Sequence, residues 1–216
     1  YKGSTPVVGF IGAGNYASRT LIPAFKKAGA GLDTLVTSGG VSGVHHGIKA
    51  GFKTAATELE FLWNSDEINT VVIVTRHDAH ASQVLSAVES GKNVFVEKPL
   101  ALSLTEVEAI DAAFQKVNHT RNNPLRLMVG FNRRFAPHVV KMKSLLESKR
   151  EPKAVVITVN AGAIPSEHWT QDPEVGGGRI VGEGCHFIDL MRFLVGHSIT
   201  GHQTMMMGDA PGVEIR

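Results

Sequence analysis

Residues 7–17, Val-Val-Gly-Phe-Ile-Gly-Ala-Gly-Asn-Tyr-Ala, constrain this chain more than any other stretch. A short apolar run of this kind reads as a buried strand, and it breaks at Gly12-x-Gly14-x-x-Ala17 into a helical pattern. Each small residue answers a different steric demand. Gly12 permits a tight turn, Gly14 lets the main chain approach a diphosphate, and Ala17 lets the helix pack close to the strand. N–H groups in the first turn of that helix then suit an anion. Glycine-rich turns also follow buried strands for steric reasons alone, so the motif carries weight through the strand before it and the helix after it.

The next 120 residues repeat the same alternation. Residues 32–37 read as a second strand, followed by the turn Ser38-Gly39-Gly40; 44–50 read as a short helix and 52–55 as an edge strand. The run Thr-Val-Val-Ile-Val-Thr at 70–75 is β-branched and apolar throughout, as a central parallel strand requires. A helix over 79–90 ends at Gly91, and a strand follows at 93–96. Ser103 and Glu106 have capping-box spacing and open a helix to about Val117; after a polar loop, residues 125–131 form the last strand. Repeated β-then-α units predict an α/β fold with a doubly wound parallel Rossmann-type sheet, whose ligands bind at the carboxyl ends of the strands. Pro23, inside the first helix, is expected to split or kink it.

The pattern changes after residue 131, so the chain divides into domains at 1–131 and 132–216. Residues 137–148 read as a helix, 153–160 alternate like a strand with one covered face, and 200–207 read as a further strand. A loop carrying His168, Trp169 and the glycines 176–178 precedes a helix over 180–195, with Ile180, Gly184, Ile188, Met191 and Val195 down one side. This predicts an α+β second domain with an open, mainly antiparallel sheet. Two strands make a poor sheet, so that domain is expected to be incomplete in this chain.

Bulk properties narrow the function classes. The 216 residues are 43% hydrophobic and 19% charged, with a formal net charge of +2. Acidic and basic residues interleave, so there is no nucleic-acid footprint. No apolar run approaches the roughly 20 residues of a membrane helix. With Cys185 as the only cysteine, no intrachain disulfide can form, and a reducing cytoplasm is the expected compartment. Neither His45-His46 nor another histidine pair has metal spacing, so no metal site is expected.

Several short motifs carry chemistry. Glu97-Lys98-Pro99 closes a strand at the end where such a sheet keeps its site, and a lysine there favours developing alkoxide charge on a sugar hydroxyl. Arg133 and Arg134 suit a carboxylate or phosphate, or lie on plain surface. Trp169, beside His168, suits the apolar face of a sugar ring.

In order, Gly12-Ala13-Gly14, Thr75-Arg76-His77-x-x-His80, Glu97-Lys98-Pro99, Phe131-Asn132-Arg133-Arg134-Phe135 and Gly176-Gly177-Gly178 through His186-x-x-Asp189 resemble the glucose–fructose oxidoreductase / inositol dehydrogenase / rhizopine catabolism (Gfo/Idh/MocA) family. The resemblance extends to the second module of bacterial two-domain proteins that join a zinc-type alcohol dehydrogenase to this fold, which implies such a fusion. It implies an NAD(P)-dependent dehydrogenase acting on a sugar or sugar derivative, and a homo-oligomer built through the second domain's sheet.

The resemblance also implies residue roles. Gly12, Gly14, Asn15, Tyr16 and Ser38 fall on the cofactor site, as do Thr75, Arg76, His77, His80, Glu97 and Lys98. Lys98 also touches substrate, with Arg133, Arg134, His168, Trp169, His186 and Asp189. His186 falls on the histidine that takes the proton from a substrate hydroxyl, a task suited to an imidazole whose reference pKa is about 6.5. The family often has an aspartate four residues before that histidine; here the position is Gly182, and Glu183 is the acid that could orient the imidazole. The residue strand ending Thr37-Ser38-Gly39 has no carboxylate to repel a ribose 2′-phosphate, which leans the cofactor from NAD towards NADP. Two alternatives stay open: an NAD-dependent glycoside hydrolase on the same fold, and a non-catalytic nucleotide-binding module of a fused protein.

Overall fold

A computed structural model describes residues 5–205. The chain divides into two units, Tyr1–Gly130 and Phe131–Arg216.

The first unit is built on one six-stranded sheet. Its strands are β1 (Val7–Ile11), β2 (Gly31–Val36), β3 (Thr54–Ala56), β4 (Thr70–Ile73), β5 (Asn93–Val96) and β6 (Leu127–Val129). They lie in the order β3-β2-β1-β4-β5-β6, and every neighbouring pair is parallel. The chain therefore starts at the centre, runs to one edge and returns to fill the other side. That reversal opens a crevice beside the carboxyl ends of β1 and β4.

Alternation along the strands sorts the core into two layers. On one face, Ile11, Val71, Ile73, Val94 and Val96 pack with Val84 and Val88 of α4 (His80–Glu89) and Ile110 of α5 (Leu104–His119). On the other, Val8, Phe10, Leu35 and Val72 pack with Leu21 and Ile22. Phe10 meets the Phe25 and Phe52 rings edge-on at 5.5 and 5.7 Å. Gly9 is small because a Cβ there would lie 2.4 Å from Leu62, in the short α3 (Glu60–Trp63) that sequence reading passed over.

Local sequence signals account for the helices. The capping box forms: Glu106 N–H donates to Ser103 Oγ, and the Ser103 N–H donates to the Glu106 carboxylate. Pro23 neither splits nor breaks the first helix. A wide π turn (Ala17–Leu21), in which Ile22 N–H donates to Ala17 O, precedes α1 (Ile22–Lys27) and leaves proline in its first turn. The helix α2 spans Gly40–Ala50.

The second unit has helices and turns. A 3₁₀ turn (Asn132–Phe135) leads to α6 (Pro137–Glu147); a second turn (Trp169–Gln171) and a π turn (Ile180–Gly184) precede α7 (Cys185–Val195). The strand expected at 153–160 does not form, although half-buried and exposed residues alternate over 153–158. Among the described residues this unit holds no strand to pair with it, and an unpaired segment hydrogen-bonds to water instead. Residues 200–205 have no regular structure, and 206–207 lie outside the described residues. The apolar stripe read along α7 is not its buried face: Ile180 and Ile188 are exposed, while Asp189 and Leu194 are buried. The ion pair of Asp189 with Arg134 draws that side inward.

Candidate functional site

The glycine turn separates two steric roles. Gly12 has φ +100°, and a Cβ there would lie 2.5 Å from the Val74 carbonyl oxygen, so the protein's own main chain requires glycine. Gly14 has no such need. Nothing lies within 4 Å of where its Cβ would be, and its φ is not positive. It opens the helix, its carbonyl accepting from Ser18 N–H at 2.9 Å, with Asn15 and Tyr16 exposed after it. Ala17 is fully buried, as close helix–strand packing demands. An unfilled space above Gly14, at a helix start at the mouth of the sheet, suits a diphosphate.

Two further loops reach the same edge. After β4, Thr75 Oγ1 donates to Gln83 Oε1 at 2.9 Å, Arg76 is exposed and His77 is buried. After β5 come Glu97, buried, and Lys98, half-buried. Glu97 Oε2 accepts from the Lys98 N–H at 3.3 Å, while Oε1 has no partner among the described residues. Gly130 makes room for that carboxyl, since a Cβ there would lie 2.5 Å from Oε1. Burial pushes the Glu97 pKa up, against the opposing pull of the Lys98 N–H and charge. Beyond β2, Thr37 Oγ1 donates to Gly39 O at 2.9 Å, and Ser38 is exposed with no carboxylate at that strand end.

His80 departs from the role that the resemblance implied. Its ring is fully buried and faces the protein's own carbonyls, Nδ1 at 2.6 Å from Pro99 O and Nε2 at 3.3 Å from Thr75 O. It offers no exposed edge to a cofactor. Burial holds its pKa below the usual imidazole range, and the Lys98 charge adds to that, against the two carbonyl contacts.

The second unit gathers its residues differently. Arg134 and Asp189 are paired: Nε donates to Oδ2 at 3.1 Å, and Nη2 makes a shorter contact with Oδ1. Arg134 also lies over the Phe193 ring at 5.4 Å, and Arg133 over Phe187 at 4.5 Å. Both arginines are thus engaged with α7. Glu183 pairs with Arg179 at 3.2 Å, and that arginine donates to Gly162 O. His186 is half-buried, its ring edge-on to Phe131 at 6.3 Å. His168 and Trp169 are neighbours, ring centroids 5.9 Å apart. Gly176 lets this loop close, because a Cβ there would lie 2.4 Å from Thr170 Cα. A cavity of about 350 Å³ lined by Arg134, Lys143, Arg192, Phe193 and His197 lies in this unit.

Sequence reading missed two of these arrangements. The i, i+3 placement of His80 and Gln83 on one helix, both turned to Thr75, was one available signal. The Arg134–Asp189 pair, 55 residues apart, left none.

Taken together, strand order, glycine turn and open helix start define a dinucleotide-binding α/β domain. The chain belongs to the GFO_IDH_MocA oxidoreductase family with an NAD-binding Rossmann fold, whose family model matches residues 7–131. It is 35% identical over 136 residues to scyllo-inositol 2-dehydrogenase (NAD(+)) of Bacillus subtilis, covering 62% of this chain and 37% of that protein. It is 25% identical over 193 residues to 1,5-anhydro-D-fructose reductase of Ensifer adhaerens, covering 87% and 56% respectively. An oxidoreductase domain protein from Kribbella flavida superposes with a TM-score of 0.73 at 25% identity, over 90% of this chain and 55% of that one. The chain therefore spans about half or less of the curated relatives' length.

Proposed function

We propose that this chain belongs to an NAD(P)-dependent dehydrogenase that transfers hydride between a nicotinamide cofactor and the hydroxyl-bearing carbon of a sugar or sugar derivative. One observation carries it: Gly14 is glycine where the fold itself does not need one, above the first turn of a helix at the sheet's crevice. The names of the inositol dehydrogenase and anhydrofructose reductase relatives support the substrate class.

Gly12 shapes the turn, and Gly14 with the helix N–H groups at Asn15 and Tyr16 would hold the diphosphate. Thr75, Arg76 and Glu97 border the same strand ends. When bound, the nicotinamide ring supplies the hydride acceptor or donor. Lys98 holds fixed positive charge where a substrate hydroxyl gains alkoxide character. His186 is the candidate acceptor of a substrate hydroxyl's proton. Glu183, already paired with Arg179, is the acid that would orient His186 along the helix. Arg133, His168 and Trp169 are the substrate-side candidates, while Arg134 and Asp189 bind one another first.

The absence of a carboxylate after β2, with Ser38 exposed there, favours NADP(H). The finer resemblance supports fusion to a zinc-type alcohol dehydrogenase and self-association; intact mass and light scattering of the native protein test both.

The experiment is fluorescence titration with NADPH and NADH, followed by absorbance assays of NADP+ and NAD+ reduction over a panel of sugars and inositols. Binding and turnover on a sugar or inositol are expected. NADH binding at least about tenfold tighter, a difference of about 1.4 kcal/mol, would reverse the cofactor preference. Binding without turnover of any panel member would remove the dehydrogenase assignment.

A further inference from the structure

We propose that His80 is a positioning residue that sets Lys98 in place by tying the loop at the carboxyl end of β5 to the start of α4. The proposal rests on the reading of Lys98 as the charge that faces the reacting hydroxyl.

A carbonyl oxygen cannot donate, so the 2.6 Å contact between His80 Nδ1 and Pro99 O requires the proton on Nδ1. Pro99 directly follows Lys98, so this bond fixes the main chain beside the lysine's own Cα. The other ring nitrogen lies 3.3 Å from Thr75 O. On a neutral ring Nε2 has no proton, which agrees with the longer contact. The groups facing this imidazole are Lys98, Asp78 and the His77 ring at 5.7 Å. Burial and the Lys98 charge both favour the neutral form.

One helix end thus grips both loops. His80 opens α4 and holds the loop after β5, while Gln83, one turn on, accepts from Thr75 Oγ1 in the loop after β4. A residue that merely filled space would need no nitrogen at either position. Here the ring is fully buried, yet its one N–H meets the Pro99 carbonyl oxygen.

Three substitutions separate bracing from packing. Asparagine places an amide N–H near the position of Nδ1, glutamine places one near Nε2, and leucine fills similar volume with neither. The readouts are the ¹³C signal of reductively dimethylated Lys98, assigned by its loss in Lys98→Arg, and NADPH affinity by fluorescence. His80→Asn is expected to keep the Lys98 signal and to hold affinity within about threefold; His80→Gln and His80→Leu should shift the signal and weaken NADPH at least about tenfold. Equal, wild-type behaviour of Asn, Gln and Leu variants would overturn the proposal.

If His80→Leu does not fold, the Asn-against-Gln comparison decides. Long-range ¹⁵N–¹H spectra of the wild-type protein decide independently: a proton on Nδ1 supports the brace, and one on Nε2 alone overturns it. A wild-type protein that binds neither NADPH nor NADH would remove the dehydrogenase reading, while the Lys98 signal would still judge His80.

Discussion

The two units of this chain are held by different physics. In the first, strand and helix layers bury Phe10, Leu35, Leu62, Val71, Val72 and Ile73 almost completely. In the second, Leu194 is the only buried hydrophobic residue among those described, and Val140, Leu145, Val156, Ile180 and Ile188 are exposed. Its described helices are joined by polar contacts instead: the Arg134–Asp189 pair, with Arg134 and Lys143 against the Phe193 ring. The difference shows that a periodic β-then-α sequence builds its own core, whereas a helical pattern without paired strands depends on charges and rings. The proposed chemistry follows the same division, with Lys98 on the first unit and His186 on the second.

Core deletion should break the comparison most strongly. Leu62→Ala, at a fully buried site, is expected to cost about 2–5 kcal/mol in chemical denaturation, while Leu145→Ala on α6 should stay within about 0.5 kcal/mol. Similar losses at both sites would show that the second unit has a core after all.

Activity gives the next largest effect. In a protein turning over its sugar, Lys98→Met should lower turnover at least about a hundredfold through lost charge stabilisation. His186→Asn should lower it comparably and leave NADPH affinity unchanged. A folded His186→Asn variant with wild-type turnover would return that histidine to a packing role.

The sequence made the first unit legible because each device there is local. A two-residue alternation, a Ser103–Glu106 cap and a Gly12 turn are read within a few residues, and the sheet order follows from their repetition. Pro23 was legible as a disturbance but not as a π turn, since the relief comes from a hydrogen bond one residue longer in the preceding turn. The second unit was read poorly because its determinants are distant. Asp189 is buried through Arg134, and the alternation over 153–158 predicts a strand only where a partner edge exists. Within the site, residue types at the strand ends were evident, whereas the burial of His80 against Pro99 O needed the fold.

A smaller effect sharpens the polar side of the comparison. Asp189→Asn leaves the Arg134 guanidinium, about a third exposed, without its carboxylate, at a cost of roughly 1–3 kcal/mol. Urea unfolding followed by a probe on α7 should report it, with Phe193→Leu partly reproducing the loss. No change in that signal would mean that the pair does not hold α7.

The smallest effect is a pH dependence in the first unit. Burial raises the Glu97 pKa above 4.5, so the folded protein holds that proton more firmly than the unfolded chain. Its contribution to stability is complete below the unfolded value and is lost as pH rises through the raised folded value. Glu97→Gln should therefore match the wild type near about pH 4 and become the more stable of the two as pH rises to about 7. A constant difference across that range would show that Glu97 is ordinary in both states.

The most direct test of the account compares two glycines two residues apart. Gly12→Ala should lower stability by roughly 1–3 kcal/mol, because φ +100° and the Val74 carbonyl leave no room for a side chain. Gly14→Asp opens a helix with a favoured capping residue whose Cβ meets nothing within 4 Å, so the melting temperature should stay within about 2 °C. Its carboxylate would nonetheless occupy the place of the diphosphate, and NADPH affinity measured by fluorescence should fall at least about a hundredfold. A folded Gly14→Asp protein that binds NADPH as the wild type does would contradict the account.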